Sequence, residues 1–410
     1  MICRAAAGVV VLALALSIFP VGAEPPANRG FQNTWQRTDQ PVAAQQVSRT
    51  WMWGPEAFTA PLREAYAEAP DGFRTVQYFD KSRMELTDPN ADPESIWYVT
   101  NGLLVMELAT GRMQVGDNQF VEREPADVNV AGDAGVESGV TYRFIGSLRA
   151  HPAAEVGATL AWRLTPGAGG QDYVHDEAYA QYGVTAAYHV PETGHAVASV
   201  FWDFMRSSGP VYQDGGIVEG HIFPSPFYAT GFPITEAYWA RIPVAGVERD
   251  VLIQCFERRC LTYTPGNPDG WQVEAGNVGR HYYEWRYGEA GDEGPVPQPF
   301  PTSGDVRVIF ILADPVDYGE SEGEYVDIRN YADWPVAMGG WTLEDAARNR
   351  YTFPEGFVLG LDATVRVHIC NGTNDAANLY WGRCSPVWNN NGDTARLFDA
   401  AGNLIHEYSY

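Results

Sequence analysis

Hydrophobic and polar residues alternate with a period of two over several short stretches of the chain, most clearly past residue 304. Those stretches are Val306 to Ile311, Tyr325 to Ile328, Tyr351 to Phe353, Thr364 to Ile369, Ala395 to Phe398 and Leu404 to Tyr408. Turn-forming residues separate them at Gly339-Gly340, Pro354-Glu355-Gly356, Asn390-Asn391-Gly392 and Ala401-Gly402-Asn403. Alternation of this kind places every second side chain on one sheet face, so each stretch reads as a half-buried strand. Short strands and regular turns over about a hundred residues predict an immunoglobulin-like β-sandwich.

Earlier in the chain the pattern is more varied. Val251 to Phe256 and Arg259 to Tyr263 read as two strands around the turn Glu257-Arg258, which sets Cys255 opposite Cys260. Val197, Val200, Phe201, Phe204 and Met205 recur at helical spacing, predicting an amphipathic helix from Ala196 to Arg206 capped near Thr193. One unit recurs. Glu64-Ala65-Tyr66, Gln77-Tyr78-Phe79-Asp80-Lys81 and Trp97 to Gly102 are echoed by Glu236-Ala237-Tyr238, Gln254-Cys255-Phe256-Glu257-Arg258 and Trp271 to Gly276. Two copies at unequal spacing are too few for a solenoid and suggest a duplicated hairpin unit.

At 410 residues the chain is expected to hold two to four domains. The fold class that follows is mainly β with minor α and several domains. Its parts are a first repeat-containing unit over 24–130, a central segment with the second unit over 131–287, a Gly-, Pro- and acid-rich linker over 288–303 and the sandwich over 304–410. Ahead of these, Arg4 precedes an apolar run to Phe19 and the small-residue site Val21-Gly22-Ala23, the pattern of a secretory signal peptide over 1–23. The run is shorter than the ~20 residues of a membrane span, and no later segment qualifies. The expected address is therefore secreted or cell-surface.

Export changes the reading of the cysteines, since Cys3 would leave with the signal. Cys255, Cys260, Cys370 and Cys384 remain. The hairpin register favours a bond from Cys255 to Cys260, and elimination then pairs Cys370 with Cys384, against the alternative of four reduced thiols. Charge narrows the partners. With 27 Lys and Arg against 52 Asp and Glu, the formal charge of −25 argues against nucleic acid or an anionic membrane surface. Lys81 is the one lysine and lacks the glycine-rich context of a phosphate-binding loop.

The sandwich residues resemble a lamin tail domain. The resemblance rests on Gly323 to Asn330, Gly340 to Asp345, Tyr351-Thr352-Phe353-Pro354 and Trp388 to Asp399, in that order. It implies an immunoglobulin-like interaction module appended to secreted or surface proteins. Phe31 to Tyr287 resembles secreted bacterial proteins of Chloroflexota-like lineages that carry G-[FY]-P-I-[ST]-E and Q-x-F-E-R repeats, here Gly231 to Glu236 and Gln254 to Arg258. That resemblance implies no reaction and no catalytic residues.

Gly319-Glu320-Ser321-Glu322-Gly323 spells G-x-S-x-G, but no apolar strand precedes it and no helix follows, so a nucleophile elbow is not expected. His189 and His195 are six apart around Pro191 and Gly194, which no zinc-binding helix allows. Asp314, Asp317, Glu320 and Glu322 are candidate calcium ligands; without EF-hand order the expectation is a solvated acidic loop. Trp51, Trp53, Trp202 and Trp285 stand in aromatic clusters and are candidate ligand contacts, against a core role. No catalytic residue and no cofactor is assigned. The favoured function is a secreted or surface, non-enzymatic modular protein that binds an extracellular glycan or protein. The alternative is an exported hydrolase with its site in 140–206, around His151, His175, Asp176, His189, Glu192 and His195.

Overall fold

The computed structural model describes residues 24–410 except 25, 71, 134, 137, 168–171, 289–295, 298 and 316–322. The signal-peptide segment lies outside the described residues. Two sheets organise the first three hundred residues. A four-stranded antiparallel sheet runs in the order Val296–Pro297, Leu62–Ala65, Phe73–Phe79, Ser82–Leu86. A six-stranded sheet runs Val273–Ala275, Cys260–Tyr263, Val247–Cys255, Tyr238–Val244, Trp162–Leu164, Tyr173–His175.

The long hairpin of the second sheet turns through Ala245 and Gly246, at φ of 54° and 73°. Two consecutive positive φ values match the right-handed twist of the flanking strands. The Asp133 carboxylate accepts both turn N–H groups, at 2.8 and 2.7 Å. Further along, Cys255 pairs with Cys260 across the next hairpin, as the register predicts, and the two are disulfide-bonded with Cα atoms 4.0 Å apart.

This sheet is covered on both faces, which explains the unbroken apolar run Val251-Leu252-Ile253. Tyr238, Ala240, Ile242, Val251 and Ile253 point into a central core. Ala237, Trp239, Leu252 and Leu261 point the other way, onto Phe201, Met205 and the hairpin Ala186–Val190/His195–Ala198. The central core is closed opposite by Leu62, Val76 and Tyr78 of the four-stranded sheet. Helices Leu104–Thr110, Tyr142–Leu148 and Val278–Tyr287 fill the space between. The far face of the four-stranded sheet packs Phe79, Met84 and Leu86 against Phe31, Met52 and Trp53.

The hairpins after Phe73 and after Val247 carry matching hydrogen bonds. Gln77 donates to the Thr59 carbonyl at 3.1 Å, and Gln254 to the Thr235 carbonyl at 3.0 Å. Their side-chain oxygens accept from Ala27 and Ala198 N–H, at 2.9 and 3.0 Å. The helix after each hairpin rests on the turn of the other: Gly279 N–H donates to Asp80 and Met106 N–H to Glu257, at 3.1 and 3.0 Å. The two Glu-Ala-Tyr triplets do not share this match. Leu62 pairs with Val76 and Tyr238 with Ile253, the residues just before the two glutamines, so Glu64 lies two residues past that pairing position and Glu236 two before it.

One predicted element is corrected. His195–Ala198 is a buried strand, and only Ser199–Met205 is helical, with Ala198 rather than Thr193 at its N-cap. The physical reason lies in neighbouring side chains: Glu236 and Gln254 accept the N–H groups of Ala196 and Ala198, at 2.9 and 3.0 Å, so the backbone bonds sideways.

From Val306 onward, two four-stranded sheets face each other. One runs Val306–Leu312, Tyr325–Asn330, Thr364–His368, Asn378–Tyr380; the other Arg350–Thr352, Thr342–Glu344, Thr394–Phe398, Leu404–Ser409. Val308, Val326, Ile328, Val365 and Val367 meet Leu343, Ala395 and Leu397, with Trp341 and Trp388 fully buried among them. Each buried Val, Ile or Leu among them contributes about 2 kcal/mol. Within the segment read as a linker, Val296–Pro297 adds to the first sheet, while the Pro301 carbonyl accepts from Ala337 N–H at 2.8 Å.

Candidate binding site

The Cys370–Cys384 disulfide closes a loop at one end of the sandwich, with Cα atoms 4.1 Å apart. Asp375 accepts the N–H groups of Ala377 and Asn378, at 2.8 and 2.7 Å, and Asn374 accepts that of Tyr380 at 2.9 Å. These bonds turn the chain into the strand Asn378–Tyr380. Tyr380 stacks on His368, ring centroids 4.7 Å apart and 10° from parallel. Gly372 is required here, because a Cβ at that position would lie 2.2 Å from the Tyr380 ring.

The strand Arg350–Thr352 brings a second wall. Tyr351 meets Trp381 with centroids 5.6 Å apart, its hydroxyl buried without a hydrogen bond and its pKa pushed up to about 12 by burial. Between the walls lies an open cleft of about 400 Å³, bounded by Tyr351, Tyr380, Trp381, Arg350, Thr352 and Asn374. Aromatic faces beside polar tips suit apolar contact with directional hydrogen bonds.

The residues singled out from sequence fall elsewhere. Trp53 is 2% exposed, packed edge-on to Phe79 and under the Arg259 guanidinium at 4.9 Å. It is a core residue, a correction to its candidacy. Trp51 is half-buried. Trp202 stacks on Tyr188 at 4.2 Å, and the Trp285 indole N–H donates to the Glu124 carbonyl at 2.9 Å. Asp314 is exposed, whereas Asp317, Glu320, Glu322 and Ser321 lie outside the described residues. Two neighbours in the acid run are engaged by protein: Glu324 accepts from Val387 N–H at 2.9 Å, and Asp327 grips Arg366 at 2.8 and 2.9 Å.

The central histidines do not converge. His195 is buried against Glu236 at 3.0 Å, His175 lies 3.7 Å from Glu177, His151 lies 3.3 Å from the Tyr238 hydroxyl, and His189 and Glu192 are exposed. Asp176 pairs with Arg163 at 3.2 Å. Among the described residues no group of three or more His, Cys, Asp or Glu is placed to hold a metal ion.

What sequence reasoning missed is a buried ionic cluster on the four-stranded sheet. Glu64 accepts from Arg83 at 2.8 Å, from the Tyr78 hydroxyl at 2.6 Å and from the Tyr287 hydroxyl at 2.9 Å, with Arg286 at 3.3 Å. Glu85 takes Arg74 at 3.1 Å, Thr100 at 3.2 Å and Arg83. Burial alone would raise the Glu64 pKa, but Arg286, Arg83 and Arg74 outweigh it and hold the group at about 2. Glu107 goes the other way, raised by burial more than Arg83 and the Tyr282 hydroxyl lower it. The alternating Arg83-Met84-Glu85 looks like an ordinary solvated strand face, so only the folded neighbours reveal the cluster.

Two facing antiparallel-rich sheets around a tryptophan-containing core define the C-terminal part as an immunoglobulin-like β-sandwich. Residues 299–410 match the family model of the Lamin Tail Domain. No curated protein matches the chain.

Proposed function

We propose that the chain is an exported, non-enzymatic modular protein that binds an extracellular glycan through the aromatic cleft of its lamin-tail sandwich. The carrying observation is the cleft itself, where Tyr351, Tyr380 and Trp381 stand beside Arg350, Thr352 and Asn374. Sugar rings present apolar faces and hydroxyl edges, the two features these side chains address. Two disulfides fit an oxidising compartment. Among the described residues no helix is long and apolar enough to cross a membrane. The scattering of the central histidines favours binding over the hydrolase alternative.

The test is calorimetric titration of the chain from Glu24 onward with soluble cell-wall oligosaccharides, repeated on Trp381→Ala. We expect binding by the parent chain and at least a tenfold loss in the variant, measured at a temperature where its cooperative melting shows it to be folded. Absence of binding, or equal binding by the variant, overturns the assignment. Binding instead by an extracellular protein ligand that Trp381→Ala abolishes would keep the cleft and replace the glycan.

A further inference from the structure

A second cavity, of about 310 Å³, opens in the N-terminal part where Arg258 of the second hairpin meets the four-stranded sheet. We propose that it binds a small zwitterion, an α-amino acid or the two charged ends of a short peptide. The site is independent of the sandwich cleft and of the glycan assignment.

Its lining carries both signs of charge. Arg74 is 3% exposed, and its Nε and Nη2 are buried without a hydrogen bond; the same holds for Nε of Arg258. The bonds these guanidiniums do make use other atoms. Arg74 Nη1 donates to Glu85 at 3.1 Å, Nη2 stays 3.7 Å from Glu64, and Arg258 Nη1 donates to the Tyr228 carbonyl at 2.5 Å. Buried N–H groups without acceptors are costly, and a ligand carboxylate supplies acceptors to match. Besides Glu85, the lining includes the carboxylates of Glu68 and the exposed Asp117, linked by the Asp117 N–H donating to Glu68 at 2.9 Å. A purely anionic ligand would meet these acids, and a purely cationic one the arginines. A molecule with both charges satisfies both sets of groups.

Tyr66 connects the two ends. Its ring lies 4.4 Å over the Arg74 guanidinium, and its hydroxyl donates to Asp117 at 2.6 Å. Because the Arg74 N–H groups are closed to water, the incoming carboxylate reaches them as the Tyr66 ring turns aside. That movement gives up the bond to Asp117 and leaves its carboxylate for the ligand ammonium.

The experiment is titration of the chain from Glu24 onward, by calorimetry and thermal shift, with alanine and with alanyl-alanine up to 10 mM. N-acetylalanine, which lacks the ammonium, and alaninamide, which lacks the carboxylate, are the controls. At least one zwitterion is expected to bind at least tenfold more tightly than either control, and the better one tells a free amino acid from a peptide. Asp117→Asn and Arg258→Gln should each weaken that binding at least tenfold. Tyr66→Phe, which removes the bond given up on entry, should strengthen it several-fold. Failure of both zwitterions to bind, controls that bind as well, or binding untouched by Asp117→Asn overturns the proposal; Asp117 is exposed, so that variant is expected to fold.

Discussion

Glu64 shows what one buried acid does when three arginines surround it. Its folded pKa of about 2 lies below an unfolded value of about 4.3, so its contribution to stability is fully present above that unfolded value and is lost as pH falls through the folded one. Each pKa unit is about 1.4 kcal/mol, which makes the contribution on the order of 3 kcal/mol. Glu85, also lowered, acts in the same direction, and Glu107, raised, acts in the opposite one. Urea midpoints should therefore fall between about pH 5 and pH 2, and Glu64→Gln should flatten that fall. At neutral pH the same substitution leaves buried guanidiniums short of a countercharge, for an expected loss of about 3–5 kcal/mol in chemical denaturation. An unchanged midpoint at neutral pH would contradict this account. None of it was legible in the sequence, because charge on a strand says nothing about which neighbours cover it.

At the scale of elements, the helix Val278–Tyr287 and the first hairpin fit through one residue. A Cβ at Gly279 would lie 1.9 Å from the Phe79 carbonyl and 2.5 Å from that of Ser82, both backbone atoms with little room to yield. Gly279→Ala is expected to push the helix off the turn at Asp80 and destabilise the chain by about 2 kcal/mol or more, within the range for overpacking. Thermal melting checks this, and a variant as stable as the parent would mean that the helix docks elsewhere. The sandwich strands were legible at this scale, since Tyr325–Asn330 and Thr394–Phe398 alternate strictly between buried and half-buried positions. The Cys255–Cys260 bond was legible too, because a two-residue turn sets the register locally. His195–Ala198 misled because apolar spacing alone cannot show that Glu236 and Gln254, remote in sequence, capture its N–H groups.

At the scale of the whole molecule, the sandwich core and the N-terminal cores are separate. Val306 through Leu397 supply one buried cluster, which among the described residues has no member before Val306. Among the described residues, ties across include the Val296–Pro297 strand, the Arg29 N–H donating to the Asp333 carbonyl at 2.6 Å, and the half-buried Arg29 guanidinium with Asp333, Asp362 and the Ala332 carbonyl. Surface ion pairs of this kind contribute about 0–1 kcal/mol each. Residues 299–410 expressed alone are therefore expected to fold, and to melt within a few degrees of the matching transition in the full chain. A fragment lacking a cooperative transition would show that the N-terminal part completes the sandwich.

Features that depend on near neighbours follow from the residues alone: the alternating strands, the turns, the hairpin disulfide and the order of motifs shared with lamin tail domains. Which charges are buried together, which tryptophan lines a surface and which fills a core, and where two cavities open are set by the folded arrangement. Those outcomes join Glu64 to Arg286 and Arg74 to Arg258 across long stretches of chain. They are fixed by how sheets and helices close on one another, a relation that no local pattern of residues encodes.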